Sequence, residues 1–137
     1  MSDVGDVMQI AAAGLRAQAA RMRVVAENLA NSDSTAREPG GDPYRRKIPI
    51  FESVLDRETN LNLVRMTRAA LDKSDFGESY DPGHPAADER GYIKTTKLKG
   101  LIETLDLSEA QRSYEANINV YEASREMLGA TLDLLRR

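Results

Sequence analysis

The sequence predicts a mainly α fold, in which long N- and C-terminal helices form a coiled-coil layer and a small loop and β-hairpin segment lies between them. Apolar residues with heptad spacing at each end of the chain predict the two helices. The segment between them is rich in Pro, Gly and Asp, which favour turns over helix. The chain is therefore expected to consist of an N-terminal coiled-coil helix (1–31), a middle segment (32–99) and a C-terminal coiled-coil helix (100–137).

The first helix is predicted by a seam whose spacings alternate between four and three residues. Seven of its eight positions are apolar, and Gln18 is the exception. The apolar positions, expected at an interface, are Val4, Met8, Ala11, Leu15, Met22, Val25 and Leu29. Asn31 suits a C-terminal cap, and the run Pro39–Gly41 cannot continue a helix, so the helix should end near Asn31.

The last helix is predicted by large side chains that recur every seven residues, with small or polar residues between them. Small residues at one seam position allow a partner helix to approach closely. The residues expected at this interface are Leu107, Tyr114, Ile118, Tyr121, Leu128 and Leu135. Neither amphipathic helix can bury its stripe alone, so the first helix should pack against the last, in either the antiparallel or the parallel sense.

The middle segment is expected to contain one β-hairpin. Residues 61–69 alternate like a strand, and residues 91–95 are interpreted as the hairpin partner. Residues 32–60 are expected to be rich in loops, with a single short apolar stretch at 48–55.

Composition excludes several classes of function. The 137 residues carry a net charge of −3, so a nucleic-acid-binding surface is not expected. The absence of Cys excludes disulfides, Cys-ligated zinc and thiol catalysis. No run approaches the ~20 apolar residues of a membrane span, so no direct membrane insertion is expected. Asp3 and Asp6 stand where a signal peptide needs positive charge, which predicts a cytoplasmic chain or export without a cleaved signal.

His84 is the chain's one histidine, and two interpretations of it are open. With Asp81 and Asp88 it could ligate a metal or act as a general base in a metal-dependent hydrolase. It could also be a loop histidine in a turn fixed by proline, which the lack of a second His or any Cys favours. No P-loop, dinucleotide turn, HExxH or G-x-S-x-G motif is present. The sequence therefore predicts no enzyme, and no catalytic, cofactor or metal site.

Two polar motifs also have alternative interpretations. The basic run Arg45–Lys47 follows Tyr44 and could bind nucleic acid or anionic lipid, although a solvated or protein-contacting face is favoured in an acidic chain. Asn28 and Asn31 lie one helical turn apart. They could cap a helix end, or they could form a polar hinge that fixes how the first helix meets the following loop.

Three stretches together resemble the rod proteins of the bacterial flagellar basal body, and within that group the C-type proximal rod subunit. Ala11–Lys47 contains the helix-ending turn Asn28-Leu29-Ala30-Asn31, then Thr35, and the extension with Tyr44, Arg45 and Arg46. Tyr80–Thr95 is similar to that subunit's signature loop and includes Asp81, Pro82, Gly83, His84 and Pro85. Ser108–Leu128 is similar to the shared C-terminal helix. The run Lys97–Lys99 departs from the expected Asn-Val-Asn.

The resemblance implies a structural protein without catalytic activity. It implies export through the flagellar type III export apparatus without a cleaved signal. It also implies assembly, with copies of itself and with other flagellar rod subunits, into the helical tube that crosses the periplasm and transmits torque. The terminal helices would then form the inner coiled-coil layer of this rod. An alternative from the helices alone is a cytoplasmic coiled-coil adaptor or export chaperone.

Overall fold

The computed structural model describes residues 2–136 and contains two long helices, with four strands between them in the chain. The elements are α1 (Ser2–Ala30), β1 (Lys47–Asp56), β2 (Leu61–Leu71), β3 (Gly77–Tyr80), β4 (Tyr92–Thr95) and α2 (Gly100–Leu135). The mainly α prediction agrees with helices of 29 and 36 residues, but strands take up more of the chain than expected. Neither helix, as described, has a stretch apolar enough to span a bilayer.

The helices α1 and α2 pack side by side and run antiparallel. Near the middle of the pair, Gly14 lies against Asn117, and towards the end of α1, Asn28 bonds Glu103. Positions therefore rise along one helix as they fall along the other. Arg21 lies between these points and forms an ion pair with Asp106. The sequence left the direction of packing open, and these contacts determine it.

Small residues form the contact between the helices. A Cβ atom at Gly14 would stand 2.8 Å from Oδ1 of Asn117, so glycine permits the close approach of α2 there. On α2, Ala110 and Ser124 are buried at the same face. The buried hydrophobic residues of α1 are Ala11, Ala13, Ala17, Val24 and Val25. The large seam residues lie beside this contact and are half-buried, because closely approaching backbones leave no room for them between the helix axes.

The strands β1 and β2 form an antiparallel hairpin, which packs against α1 mainly through β2. Residues 31–46 contain no helix or strand, whereas the apolar stretch at 48–55, which was not predicted as a strand, lies within β1. A register shift after Ile50 leaves Thr67 without a partner in β1, and Pro49 lies within β1. Both features interrupt the regular alternation that would have indicated a strand.

The predicted pairing of 61–69 with 91–95 was wrong, since β4 pairs with β3. The connection between β1 and β2 is only four residues long, so closing this hairpin costs little chain entropy. Asp56 Oδ1 accepts hydrogen bonds from the backbone N–H groups of Glu58 and Thr59, and Asn60 adopts a positive φ of 58°. This turn makes β1 the favoured partner for β2.

The short hairpin β3–β4 is closed by the loop at 81–91. Gly91 has a φ of 83°, and a Cβ there would lie 2.9 Å from the ring of Tyr80, so this position needs glycine. Asp88 Oδ1 accepts hydrogen bonds from the backbone N–H groups of Arg90 and Tyr92. The bond from Tyr92 lowers the pKa of Asp88, with Arg90 contributing. The loop is therefore built around internal backbone bonds.

Candidate assembly interface

Asn28 lies at the end of α1 with no exposed surface, and its carboxamide has four hydrogen-bond partners. Oδ1 accepts from the Tyr44 hydroxyl at 2.8 Å and from the Lys47 backbone N–H at 2.9 Å. Nδ2 donates to the Lys47 carbonyl at 2.8 Å and to Oε2 of Glu103 at 3.2 Å. The carboxamide thus uses its full donor and acceptor capacity, and it ties α1 to the start of β1 and the start of α2.

Glu103 is the second buried polar residue of this network, with 1% of its surface exposed. Its Oε1 accepts a hydrogen bond from Arg46 Nε at 2.5 Å, while Oε2 faces Asn28. A buried carboxylate is tolerated only when it is paired and hydrogen-bonded. Glu103 also lies in the first turn of α2, where the helix dipole favours a negative charge. We call Asn28, Tyr44, Arg46, Lys47 and Glu103 the asparagine network.

The basic run Arg45–Lys47 is used inside the chain. Arg45 donates to the carbonyls of Asp72 and Ser74 at 2.9 and 3.0 Å, and its guanidinium lies 4.1 Å from the ring centre of Phe76. Lys47 Nζ pairs with Glu27 at 2.6 Å. Each basic side chain of the run therefore positions the middle segment, which favours the protein-contacting interpretation over a nucleic-acid patch.

The two interpretations of the asparagines apply to different residues. Asn31 Nδ2 donates at 2.8 Å to the Glu27 carbonyl, which also accepts the Asn31 backbone N–H at 3.2 Å, so its side chain adds a second bond to the last turn of α1. Asn28 joins three separate segments, as expected of a polar hinge. Thr35, which follows the turn, is exposed, and its Oγ1 lies 3.4 Å from Nε2 of His84.

His84 is held by its own loop. Its Nδ1 accepts a hydrogen bond from the Ala86 backbone N–H at 3.0 Å, and its backbone N–H donates to the Asp81 carbonyl. Within residues 2–136, no three His, Asp or Glu side chains are grouped so as to hold a metal ion. Asp81, Pro82, Gly83 and Pro85 are exposed beside it. These contacts support the interpretation of His84 as a loop histidine.

The predicted interface residues fall into three groups within the single chain. Ala11 and Val25 are buried, and Leu135 is 69% exposed. The others are half-buried: Val4, Met8, Leu15, Met22, Leu29, Leu107, Tyr114, Ile118, Tyr121 and Leu128. The packing of α1 on α2 therefore leaves part of both seams uncovered.

Sequence reasoning missed Glu103 and the hairpin-facing side of α1. Glu103 carried a weak signal, since it is an acidic residue in the first turn of a predicted helix. Ala13, Ala17 and Val24 lie off the predicted seam and are nevertheless buried, because α1 has contacts with both α2 and β2. An open groove of about 650 Å³ remains between α1 and the tip of the β1–β2 hairpin.

Burial raises the pKa of Tyr44 to about 12, and the charges of Glu27 and Glu103 add to this effect. The pKa of Tyr44 in the folded chain lies above its ordinary value of 10.0, so the folded chain holds the tyrosine proton more tightly than the unfolded chain does. The stability that this difference contributes is complete below pH 10.0 and is lost as the pH rises through about 12. We expect the free energy of unfolding to fall between those values, and to fall less in Tyr44→Phe. Urea unfolding across this range measures it. The titration of Tyr44 itself is obtained by subtracting the absorbance titration of Tyr44→Phe from that of the unmodified chain. A midpoint of this difference near the ordinary pKa of 10.0 would contradict the expectation.

Comparison with known proteins places this geometry in a family. A family model described as "Flagella basal body rod protein" matches residues 8–37, and one described as "Flagellar basal body rod FlgEFG protein C-terminal" matches residues 101–134. The chain is 43% identical over 136 residues to the flagellar basal-body rod protein FlgC of Agrobacterium fabrum, covering 99% of this chain and 98% of the relative. It is 35% identical to FlgC of Aquifex aeolicus, with coverage of 97% and 98%. It is 36% identical to FlgC of Salmonella typhimurium, with coverage of 94% and 96%.

These matches include both helices of the pair and, in the full-length relatives, the strands between them. The relatives are named as rod proteins, and none of these names describes an enzyme. Taken with the antiparallel pair of terminal helices, they confirm the resemblance seen in the sequence. The chain belongs to the flagellar basal-body rod proteins of the FlgC type.

Proposed function

We propose that this chain is a structural subunit of the proximal rod of the flagellar basal body. It would act by assembling with copies of itself and with other rod subunits into a helical tube that crosses the periplasm and transmits torque. The family membership supports the rod role. The exposed apolar residues of α2 support assembly with other subunits as the way in which the protein acts.

The observation that carries this proposal is the uncovered apolar end of α2. Leu132, Leu134 and Leu135 are 47%, 72% and 69% exposed, although they follow directly on the helix that packs against α1. Leu128 and Leu135 belong to one heptad row, of which the first is half-buried and the second is exposed. A cluster of exposed leucines on a charged, hydrophilic chain marks a surface that a protein partner covers.

The arrangement of the chain suggests how a subunit would be placed. The terminal helices, 1–31 and 100–137, would form the inner coiled-coil layer, where neighbouring subunits cover the half-buried seam residues. The middle segment, 32–99, would form lateral contacts, and the asparagine network would hold it at a fixed position on the helix pair. Contacts in a helical tube are heterologous and do not close, so two different faces of each subunit must be complementary.

Export through the flagellar type III apparatus, without a cleaved signal, is part of this proposal. Passage through an export channel requires that the chain unfold or remain partly folded. The chain has no Cys, so no disulfide opposes unfolding. The contact between the helices is made largely by small residues, which bury little apolar surface.

Deletion of the gene tests the proposed function, with complementation as the control. We expect a strain without filaments and without motility, in which assembly stops at the rod, and we expect the tagged protein to co-purify with intact basal bodies. A flagellated, swimming deletion strain would contradict the proposal. Recovery of the tagged protein only in the soluble fraction would favour the adaptor or chaperone alternative.

A further inference from the structure

A second apolar row runs along α2, on a face that no part of the described chain covers. Its spacings alternate between four and three residues over six consecutive apolar positions: Ala116, Val120, Ala123, Met127, Ala130 and Leu134. All six are exposed, with Val120, Met127 and Leu134 at 46%, 60% and 72%. We call this row the outer stripe. An alternation of alanine with a large residue is the pattern of a helix that packs closely against another helix.

The outer stripe is distinct from the seam that α1 already occupies. Ala116 precedes Asn117 by one residue, and Ala123 precedes Ser124 by one residue, which turns each by about 100° from the face that contacts α1. Asn117 and Ser124 are half-buried and buried, whereas their alanine neighbours are exposed. The helix α2 therefore has one face in use within the chain and a second apolar face ready for a partner.

The partner of the outer stripe must tolerate negative charge. Four carboxylates lie along one flank of the stripe: Glu115, Glu122, Glu126 and Asp133. All four are exposed, and none forms an ion pair within residues 2–136. A partner helix should therefore combine small residues, which allow a close contact, with basic residues on the same face.

The face of α1 opposite Gly14 has this chemistry. Its positions repeat with the same alternating spacing: Ala12, Arg16, Ala19, Arg23, Ala26 and Ala30. Ala12 and Ala19 are half-buried, and the other four are exposed. Arg16 and Arg23 are exposed, and neither has an ion-pair partner in the part of the chain described. This alanine–arginine face lies away from Gly14 and Val25, which contact α2 or are fully buried, and it borders the hairpin groove at Arg16.

We propose that the outer stripe of α2 docks on the alanine–arginine face of α1 in a second copy of this chain. The alanines of both rows allow the helix axes to come close. Val120, Met127 and Leu134 are then removed from water, while Arg16 and Arg23 meet the acidic flank. The proposal rests on the proposed function as a rod subunit, and it specifies which surfaces of two neighbouring copies meet.

Charge selects this pairing over the symmetrical one. Two outer stripes packed antiparallel on each other would bring two acidic flanks to the same side of the contact, and like charges across an interface oppose association. The α1 face adds two positive charges at the corresponding position. The contact is also heterologous, because each subunit offers one face of each kind, and such contacts link copy to copy in the helical tube proposed above.

The lack of Cys makes a direct test practical, because introduced cysteines are then the only thiols of this chain. Variants would carry one cysteine on each face, pairing Ala12, Ala19 or Ala26 with Ala116, Ala123 or Ala130 in all nine combinations. A disulfide needs Cα atoms within about 7 Å, so a subset of the combinations reports the register and direction of the helices. The variants replace the wild-type chain in cells, and isolated basal bodies are treated with a mild oxidant.

We expect at least one combination, such as Ala19→Cys with Ala123→Cys, to give a ladder of cross-linked species larger than a dimer on a non-reducing gel. Each single variant should remain monomeric. A matched control places the second cysteine on the exposed hairpin residue, Asn62→Cys with Ala123→Cys, and should give no ladder. Dimers from Ala123→Cys alone would overturn the proposal in favour of symmetrical packing, and the absence of a ladder in all nine combinations would overturn it outright.

Charge reversal provides a second measurement on the same samples. Arg16→Glu with Arg23→Glu should reduce the ladder about fivefold, since the effect of exposed pairs is modest. Adding Glu122→Arg and Glu126→Arg to this variant should restore it, whereas restoration would not occur if the arginines acted only through folding. The chain's presence in basal bodies is scored separately by immunoblot. A chain that is present but not cross-linked refutes the docking alone, whereas a wild-type chain that is absent refutes the proposed function and the docking together.

Discussion

Replacement of Asn28 by alanine is expected to lower the free energy of unfolding of the isolated chain by about 3–5 kcal/mol. The reason is the number of groups that the change leaves without partners. The Tyr44 hydroxyl, both backbone groups of Lys47 and one oxygen of Glu103 all bond the carboxamide, and Asn28 and Glu103 have almost no exposed surface. Urea unfolding followed by far-ultraviolet circular dichroism measures the change.

Asn31 provides the matched control for this experiment. It is the same residue type one helical turn away, and its side chain makes a single exposed bond to the Glu27 carbonyl. Asn31→Ala should cost about 0.5–1 kcal/mol. If Asn28→Ala were as mild as Asn31→Ala, the asparagine network would not hold the segments together. A double-mutant cycle with Glu103→Gln should show coupling of roughly 1 kcal/mol, because the two side chains share a hydrogen bond.

Introduction of a charge at Val25 is the second change with a large expected effect. Val25 has no exposed surface. An aspartate there must either stay buried without a partner or force α1 and α2 apart, and we expect a loss of at least about 4 kcal/mol. The isolated Val25→Asp chain should lose most of its cooperative urea transition, and the same variant should fail to restore motility to a deletion strain.

Val7 allows the same substitution on the same helix at an exposed position, since 37% of its surface is accessible. Val7→Asp should change the free energy of unfolding by no more than about 0.5 kcal/mol. A cooperative, wild-type-like transition for Val25→Asp would show that the helix pair does not depend on a dry contact. The comparison thus separates the effect of burial from the effect of adding a carboxylate to α1.

The long helices were predictable because their pattern is local. Alternating spacings of three and four residues report a helix without knowledge of its partner, and α1 and α2 lie where these spacings occur. The direction of packing and the identity of the buried residues were not predictable in this way. The heptads contain large residues such as Leu15 and Tyr121 and small ones such as Ala110 and Ser124, but they do not give the degree of burial of each. The small ones are buried more deeply, because two helices that approach closely bury their smallest side chains.

The hairpin and the asparagine network depend on contacts that a sequence pattern does not display. The strand β1 contains Pro49 and borders a bulge, so its alternation is broken although it pairs with β2 on both sides of the bulge. Asn28 was noticed as part of a helix-ending motif, but its partners come from positions 44–47 and 103. Nothing in the spacing of these residues brings them together, since it is the antiparallel packing of α2 that places Glu103 beside the end of α1.

The contact made by glycine, alanine and serine between the helices has a thermodynamic consequence. Exposure of apolar surface produces the heat-capacity increase of unfolding, typically about 12–15 cal/mol/K per residue. The smaller apolar area between α1 and α2 should place the lone subunit below that range, so that its stability curve is broad and shallow. Burial of Met127, Leu134 and Leu135 by neighbouring subunits would then add a heat-capacity change to assembly. The free energy of incorporating a subunit into the rod should therefore depend more strongly on temperature than the free energy of folding the lone subunit.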